Sequence, residues 1–468
     1  MDALALAIAA AVAWLPGVAA LALLRRPGPL LGGEGAWIAG AGYLVGAFAL
    51  TLWMRALSRF NVPFGIATVA LPLVAVALVA FALAWRRDRY HPRTWPARLA
   101  HAILARDLAK WERVVWLAIV AWLAIRFGLL AIEVAARPLY PWDAWTQWAT
   151  KARVWYELGH IAPFARVTEW YAAGGAVYFD ASPEYPPTMP LLQVWTCVAL
   201  GRWDDVVMNA PWWQIAVALA FVVYGGLRLL DASAPVAIVG AFLASSLPLA
   251  NVHVALAGYA DLPLAACFTA AALALMRWTR ERGIRNAAVA VVLAVACTQI
   301  KNPGWFWAAT LVPAAIVVLL PRHGVRVSMI AFAAVAFMIA AVARMKLSLF
   351  NYRLDLDFDP PWRDLFQSYF LLGNWNLLWF GVVAVTAFAY RDLLSRRLVP
   401  MTMTVIGGIL FLFFVFAFTN ASAFIADQTT VNRATLHLAP LMVCYMTLAF
   451  EAFVRRTQAS EPQVPVPA

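Results

Sequence analysis

Long apolar runs separated by short polar stretches make up most of the chain. A helix needs about 20 apolar residues to cross a bilayer. On that measure the runs predict about thirteen spans, near 3–24, 35–54, 62–85, 114–135, 206–230, 235–256, 262–277, 286–300, 303–320, 326–346, 376–390, 399–420 and 435–454. Residues 188–200 (TMPLLQVWTCVAL) are apolar but too short to span. They follow Pro186 and Pro187, precede Gly201, and read as a re-entrant or interfacial helix. Three stretches between spans form external loops, at 136–205, 347–375 and 421–434. The predicted fold class is an all-α polytopic membrane protein. Residues 1–113 form an N-terminal three-span unit with a basic loop, residues 114–456 a membrane core, and residues 457–468 a disordered tail.

Composition narrows the class. Of the 468 residues 64% are hydrophobic and only 13% charged, against about a quarter charged in soluble chains. A soluble enzyme is excluded, and no polar stretch is long enough for a Rossmann, P-loop or separate catalytic domain. The net charge of +12 is explained by topology. Alternate loops hold most of the lysines and arginines, from Arg25–Arg26 through Arg86–Arg113 and Arg277–Arg285 to Arg455–Arg456. The positive-inside rule makes these loops cytoplasmic, with the N-terminus outside and the C-terminus inside. Counting 188–200 as a span would break that bias. No nucleic-acid partner is read from the charge. The start, MDALALAIAAAVAWLPG, lacks a basic region and reads as an uncleaved first span. The 23 tryptophans suit the membrane–water interface. Cys197, Cys267, Cys297 and Cys444 lie in apolar segments without a CxxC and read as buried thiols.

Polar residues at the outer ends of spans are the candidates for chemistry. In the first external loop, Trp142, Trp145, Ala149, Ala152 and Trp155 recur at three- and four-residue spacing and predict an amphipathic helix lying at the interface. Asp143, Gln147 and Thr150 fall on another face, with Lys151 near it. Asp143 is placed either to accept a proton from a hydroxyl or to cap this helix. Glu184 and Tyr185, before Pro186 and Pro187, stand at the mouth of the short apolar helix or form a rigid turn there. Tyr259 and Asp261 lie at the outer junction of two spans; Asp261 is either functional or an N-cap before Pro263. Lys301 opens Lys-Asn-Pro-Gly. Arg433 and His437 share a helical face by i,i+4 spacing and suit a phosphate or, alternatively, headgroups. Asp355, Asp357 and Asp359 alternate and would face one way in an extended segment, as a hard-cation site or a solvated acidic strand; the missing glycine and distal glutamate of a calcium loop favour the strand. Arg126 and Glu133 face one way within a span, as partners or as a polar seam.

In their order and common outer placement, these motifs resemble the GT-C superfamily of polytopic glycosyltransferases. That superfamily includes protein O-mannosyltransferases and the lipid A aminoarabinose transferase. The resemblance covers about residues 114–450 and rests on five motifs. These are Tyr140-Pro-Trp-Asp143-Ala-Trp-Thr-Gln-Trp-Ala-Thr-Lys151, Glu184-Tyr-Pro-Pro187, Tyr259-Ala-Asp261-Leu-Pro263, Lys301-Asn-Pro-Gly304 and Asn432-Arg433-Ala-Thr-Leu-His437. It implies Asp143 as catalytic base, with Asp261 as the second catalytic acidic residue. The chain departs from its relatives at Ala144 and Thr146, where many have acids or an arginine. It departs again at Pro303, where an acid is expected.

The function implied is sugar transfer from a polyprenyl-phosphate donor, with inversion, to a glycolipid, cell-envelope glycan or protein. Lys151, Lys301, Arg433 and His437 would neutralise the leaving phosphate. Trp142, Gln147, Glu184, Tyr185 and Tyr259 would line the substrate groove. No cofactor is assigned; metal dependence varies in the superfamily, leaving a divalent cation open. The implied location is a bacterial inner membrane with the active site on its extracytoplasmic face. The rivals are a transporter or flippase of lipid-linked sugars, and a scaffold or ligase acting on pyrophosphate-linked glycans.

Overall fold

A computed structural model describes residues 2–28, 30–89, 105, 107–345, 348–349, 352–353, 358 and 360–460. The described residues are helical almost throughout. Two two-stranded pairings interrupt them, Phe164–Ala165 with Tyr178–Phe179 and Ser348–Leu349 with Tyr352–Arg353. Among the described residues, eight helices are long and apolar enough to cross a membrane. They are Asp2–Leu24, Glu34–Arg59, Ile66–Arg86, Lys110–Ala136, Val207–Leu229, Asp261–Glu281, Gly324–Arg344 and Val399–Phe418. The number rises to ten if each of two bent pairs is one span. Ala234–Ser245 and Pro248–Ala255 meet at 58°, and Thr430–Leu436 and Ala439–Ala459 at 49°. These helices mark an integral membrane protein.

The expected thirteen spans are not reached on this criterion. The runs at 286–300, 303–320 and 376–390 form shorter helices instead: Ile284–Ile300, Gly304–Ala309 with Val312–Leu319, and Leu378–Leu393. A helix rises 1.5 Å per residue, so the 17 residues of Ile284–Ile300 cover about 25 Å of a hydrocarbon core about 30 Å thick. The bends have a local cause. Pro248 and Pro440 each lack the N–H that would continue the helix before them, and the proline ring crowds the preceding turn. Asn251 caps carbonyls freed at the first bend, donating to the oxygens of Ser245 and Leu247.

Asp261–Glu281 is the central column. Ala265, Ala266, Ala270, Ala271, Ala272 and Ala274 are all buried, so neighbours approach on every side. Lys110–Ala136 and Gly324–Arg344 lie at the periphery with most of their residues exposed, as lipid-facing helices would. The N-terminal helices share the same core. Tyr43, Leu50 and Trp37 belong to one buried cluster with Trp212, Ile215 and Val222. Gly42 and Gly46, four apart, allow Glu34–Arg59 to cross Asp2–Leu24 in backbone contact; a Cβ on Gly17 would lie 1.9 Å from the Gly42 carbonyl oxygen.

Of the two readings of Thr188–Leu200 the interfacial one falls, because the helix is buried along nearly its whole length inside the bundle; that burial is compatible with a re-entrant helix. Two other local expectations change. Arg126 and Glu133 do not meet: Arg126 donates to Asn251 at 2.9 Å, and Glu133 pairs with Arg137 at 2.7 Å. Seven residues are two turns, about 10 Å along the axis, and each finds a nearer partner. The final helix runs through Ser460, beyond the expected start of the tail at Thr457; residues 461–468 lie outside the described residues.

Gly17→Val would force a branched side chain into the Gly42 backbone. Overpacking costs ~1–3 kcal/mol, more where backbone must shift. The expected result is a clearly lowered melting temperature of the detergent-solubilised protein, and a variant melting with wild type would mean that the helices do not cross this closely.

Candidate functional site

The site begins where helices stop. After Lys110–Ala136, the extended stretch to Pro141 turns into a π-helical turn, Ala144–Trp148, that leads into Ala149–Leu158. The wider winding shifts the register, so the expected apolar face divides. Ala144, Trp148, Ala152 and Trp155 are buried, whereas Trp142 and Trp145 are exposed and pack edge to face at 4.8 Å. Such π-turns recur at functional sites. Asp143 occupies the N-cap position but makes no capping bond. Its Oδ2 accepts instead from Arg433 Nη2.

Ala144 presses on Gly258, where a Cβ would lie 2.3 Å from the Ala144 Cβ. Gly258 has φ +120°, open to glycine. A longer side chain at 144 would push the Asp143 turn away from the 258–261 segment. This contact gives a physical reason for alanine at position 144.

Asp261 lies in the first turn of the central helix with its side chain fully buried. A helix N-terminus favours an anion, but a carboxylate removed from water also needs donors. Three are present. Lys301 Nζ donates to Oδ1 at 2.6 Å, His437 Nε2 to Oδ1 at 2.9 Å, and Arg433 Nε to Oδ2 at 3.0 Å. Lys301 reaches it from an extended residue closing Ile284–Ile300. Arg433 and His437 come from the short helix Thr430–Leu436 and its cap. The Arg433 guanidinium also lies 4.4 Å from the Tyr259 ring centre.

His437 has a defined role. The Trp307 indole N–H donates to its Nδ1 at 2.9 Å. An indole nitrogen only donates, so Nδ1 carries the lone pair and Nε2 the proton given to Asp261. Both ring nitrogens are thus engaged within the protein. This corrects the expectation that His437 faces a phosphate; it anchors Asp261 instead.

Lys151 is likewise engaged elsewhere. It is buried beside Asp180, its Nζ 3.4 Å from Oδ2, and donates to the Ser182 carbonyl at 2.8 Å. Burial pushes the Lys151 ammonium below its ordinary value and the Asp180 carboxyl above its own, and their mutual attraction opposes both shifts. The expected phosphate role of Lys151 is replaced by bracing the first external loop. Glu184 makes a partly exposed pair with Arg166, Tyr185 packs on Trp148 with ring centres 5.2 Å apart, and Gln147 is half-buried. Asp355, Asp357 and Asp359 lie outside the described residues. Among the described residues no group of three or more His, Cys, Asp or Glu is placed to hold a metal ion.

Sequence reasoning missed Trp307, His253 and Arg55. Trp307 is one aromatic among many in an apolar run. His253, buried with its ring 5.1 Å from that of Tyr259, carried a usable signal as an ionisable group inside a span. Arg55 lay just past the span expected at 35–54, and only the longer helix Glu34–Arg59 brings it inside. It donates to Gln299 at 2.7 Å and to Thr188, tying the second helix to the segment before Lys301 and to the short buried helix.

The fold and this cluster define a predominantly helical integral membrane protein with a buried carboxylate–cation site at one end of the bundle. Comparison with family models, curated proteins and solved structures finds no match.

Breaking one partner of a buried ion pair costs about 3–5 kcal/mol, whereas replacing both by apolar groups is often neutral. Lys151→Met and Asp180→Asn are each expected to lower the melting temperature strongly, and Lys151→Met with Asp180→Leu to recover most of the loss. If Lys151→Met kept wild-type stability but raised KM for a phosphate-bearing donor, the bracing role would be wrong.

Proposed function

We propose that this chain is a GT-C-like glycosyltransferase that moves a sugar from a polyprenyl-phosphate donor to an acceptor on the extracytoplasmic side. One observation carries the reading: Arg433 joins the half-exposed carboxylate of Asp143 to the buried Asp261–Lys301 pair. A general base and two phosphate-neutralising cations are thereby brought to one place. Asp143 has 22% side-chain exposure, and its Oδ1 has no hydrogen-bond partner among the described residues.

In the reaction, an acceptor hydroxyl gives its proton to Asp143 as its oxygen forms a bond to the anomeric carbon. The bond from that carbon to the phosphate oxygen breaks, and polyprenyl phosphate leaves with the electron pair from the opposite face, inverting the centre. Lys301 and the free N–H groups of Arg433 neutralise the leaving phosphate. Asp261 acts as a positioning residue by holding those two cations. The exposed Trp142–Trp145 pair offers an apolar wall to the lipid. On the charge bias of the loops, this reading puts the cluster at the outward ends of the helices and the C-terminus in the cytoplasm of a bacterial inner membrane.

The two bent helix pairs favour a second reading, a flippase of lipid-linked sugars, because transporters use broken helices at their binding sites. One experiment separates the two. Membranes carrying equal amounts of wild type and Asp143→Asn are given radiolabelled polyprenyl-phosphate sugars. Transfer by wild type and a loss of ~10²-fold or more in the variant is expected for a general base, with donor binding retained. Donor moved across vesicles without transfer would replace the enzyme by the flippase, and normal transfer by Asp143→Asn would remove Asp143 as the base.

A further inference from the structure

The opposite end of the bundle holds a separate pocket where the ends of three helices meet the side of Ala439–Ser460. Its polar rim is Arg280, Arg397 and Arg455 against Asp231 and Glu451, and its walls include Leu398 and Leu448. Arg280 Nη1 donates to the Leu230 carbonyl at 2.7 Å and to Asp231 Oδ2 at 3.1 Å, and Arg397 shares that same oxygen. Arg455 donates to the Asp231 carbonyl and, at 2.7 Å, to Glu451 Oε1. The simplest account is that these arginines satisfy carbonyls past the end of Val207–Leu229, where the helix dipole favours cations.

Two observations exceed that account. Three guanidinium groups face two carboxylates, leaving one positive charge in excess. In addition, Arg280 Nε and Nη2 are buried without a hydrogen-bond partner, as is Glu451 Oε2. Buried polar atoms are ordinarily paired, and an unpaired guanidinium nitrogen carries a large desolvation penalty. Arg280 thus has donors, and Glu451 an acceptor, that the protein itself does not satisfy. A phosphate beside a hydroxyl complements both, and the Arg397 and Arg455 side chains, each nearly half exposed, are open to it.

We propose that this pocket binds the phosphate of a hydroxyl-bearing anionic headgroup, such as the phosphoglycerol of phosphatidylglycerol. Basic pockets between helices at a cytoplasmic surface commonly hold anionic headgroups. The site does not depend on the catalytic reading.

The test is native mass spectrometry of the full-length protein in detergent, titrated with phosphatidylglycerol, phosphatidylcholine or inorganic phosphate. Wild type is expected to retain phosphatidylglycerol at least ~5-fold better than phosphatidylcholine, about the contribution of one basic residue. Arg280→Gln should abolish that preference. Arg137→Gln, in an exposed pair at the other end of the bundle, should leave it intact. Competition by millimolar inorganic phosphate would support the site and make phosphate itself the recognised group; no competition would support the intact lipid. Should Arg280→Gln fail to fold, thermal stabilisation of wild type is compared in the two lipids. Equal stabilisation, or equal retention in the first measurement, overturns the proposal.

Discussion

A fully buried carboxylate, Asp261, is the constraint on which the site end of the molecule depends. A carboxylate in a low-dielectric interior is tolerated only when charge and hydrogen bonds replace the water it has lost. Its three donors come from two distant segments, one closing Ile284–Ile300 and the other spanning Arg433 to His437. Both must therefore end or bend beside the start of the central helix. Neither segment continues as regular helix through the point of contact: Lys301 is extended, and a 49° bend follows His437. Arg433 carries the constraint outward, because its Nε is held by Asp261 while its Nη2 meets Asp143. The half-exposed carboxylate is placed by the buried one.

Charged groups can be brought together in this way only if the backbones around them come close. At the site, Gly258 accepts the methyl group of Ala144, and the turn bearing Asp143 settles against the segment bearing Tyr259 and Asp261. Farther away, glycines let the first two helices cross tightly. The turn after the second of these helices in turn supports the first external loop: the Ile161 N–H donates to Ser58 Oγ at 2.9 Å, and the Phe64 N–H to the Gly159 carbonyl at 2.8 Å. The N-terminal helices thus act as a platform for the loop that carries Asp143, and Arg55 extends that support toward Lys301.

Much of this was legible because polar residues are rare in so apolar a chain. Asp143, Tyr259, Asp261, Lys301, Arg433 and His437 stood out at span ends, and the structure gathers all six. Their pairing was not legible. The i,i+4 spacing of Arg433 and His437 gives a shared face but not what that face meets, and Asp261 is 172 residues from Arg433. Lys151 resembled a phosphate ligand because nothing in its own helix neutralises it; its partner Asp180 lies beyond an intervening turn and short strands. The division of the tryptophan face escaped periodicity analysis because one π-turn suffices to change the register. Trp307 gave no signal, since a buried indole in an aromatic-rich run differs from its neighbours only through the N–H it donates.

That N–H has a consequence for the electrostatics. Were His437 doubly protonated, Nδ1–H would point at Trp307 Nε1–H, two donors with no acceptor between them. The indole therefore favours the neutral ring, and His437 brings a hydrogen bond to Asp261 without adding charge. Asp143 and Asp261 then balance Lys301 and Arg433, so the resting cluster is neutral overall even though most of it is buried. An anion arriving beside Lys301 and Arg433 would meet cations already oriented by Asp261, with little further reorganisation needed. A third fixed positive charge would strengthen anion binding and, in the proposed transfer, would also hold the leaving phosphate. A neutral histidine locked by a tryptophan gives the rigidity of a third donor without that added attraction.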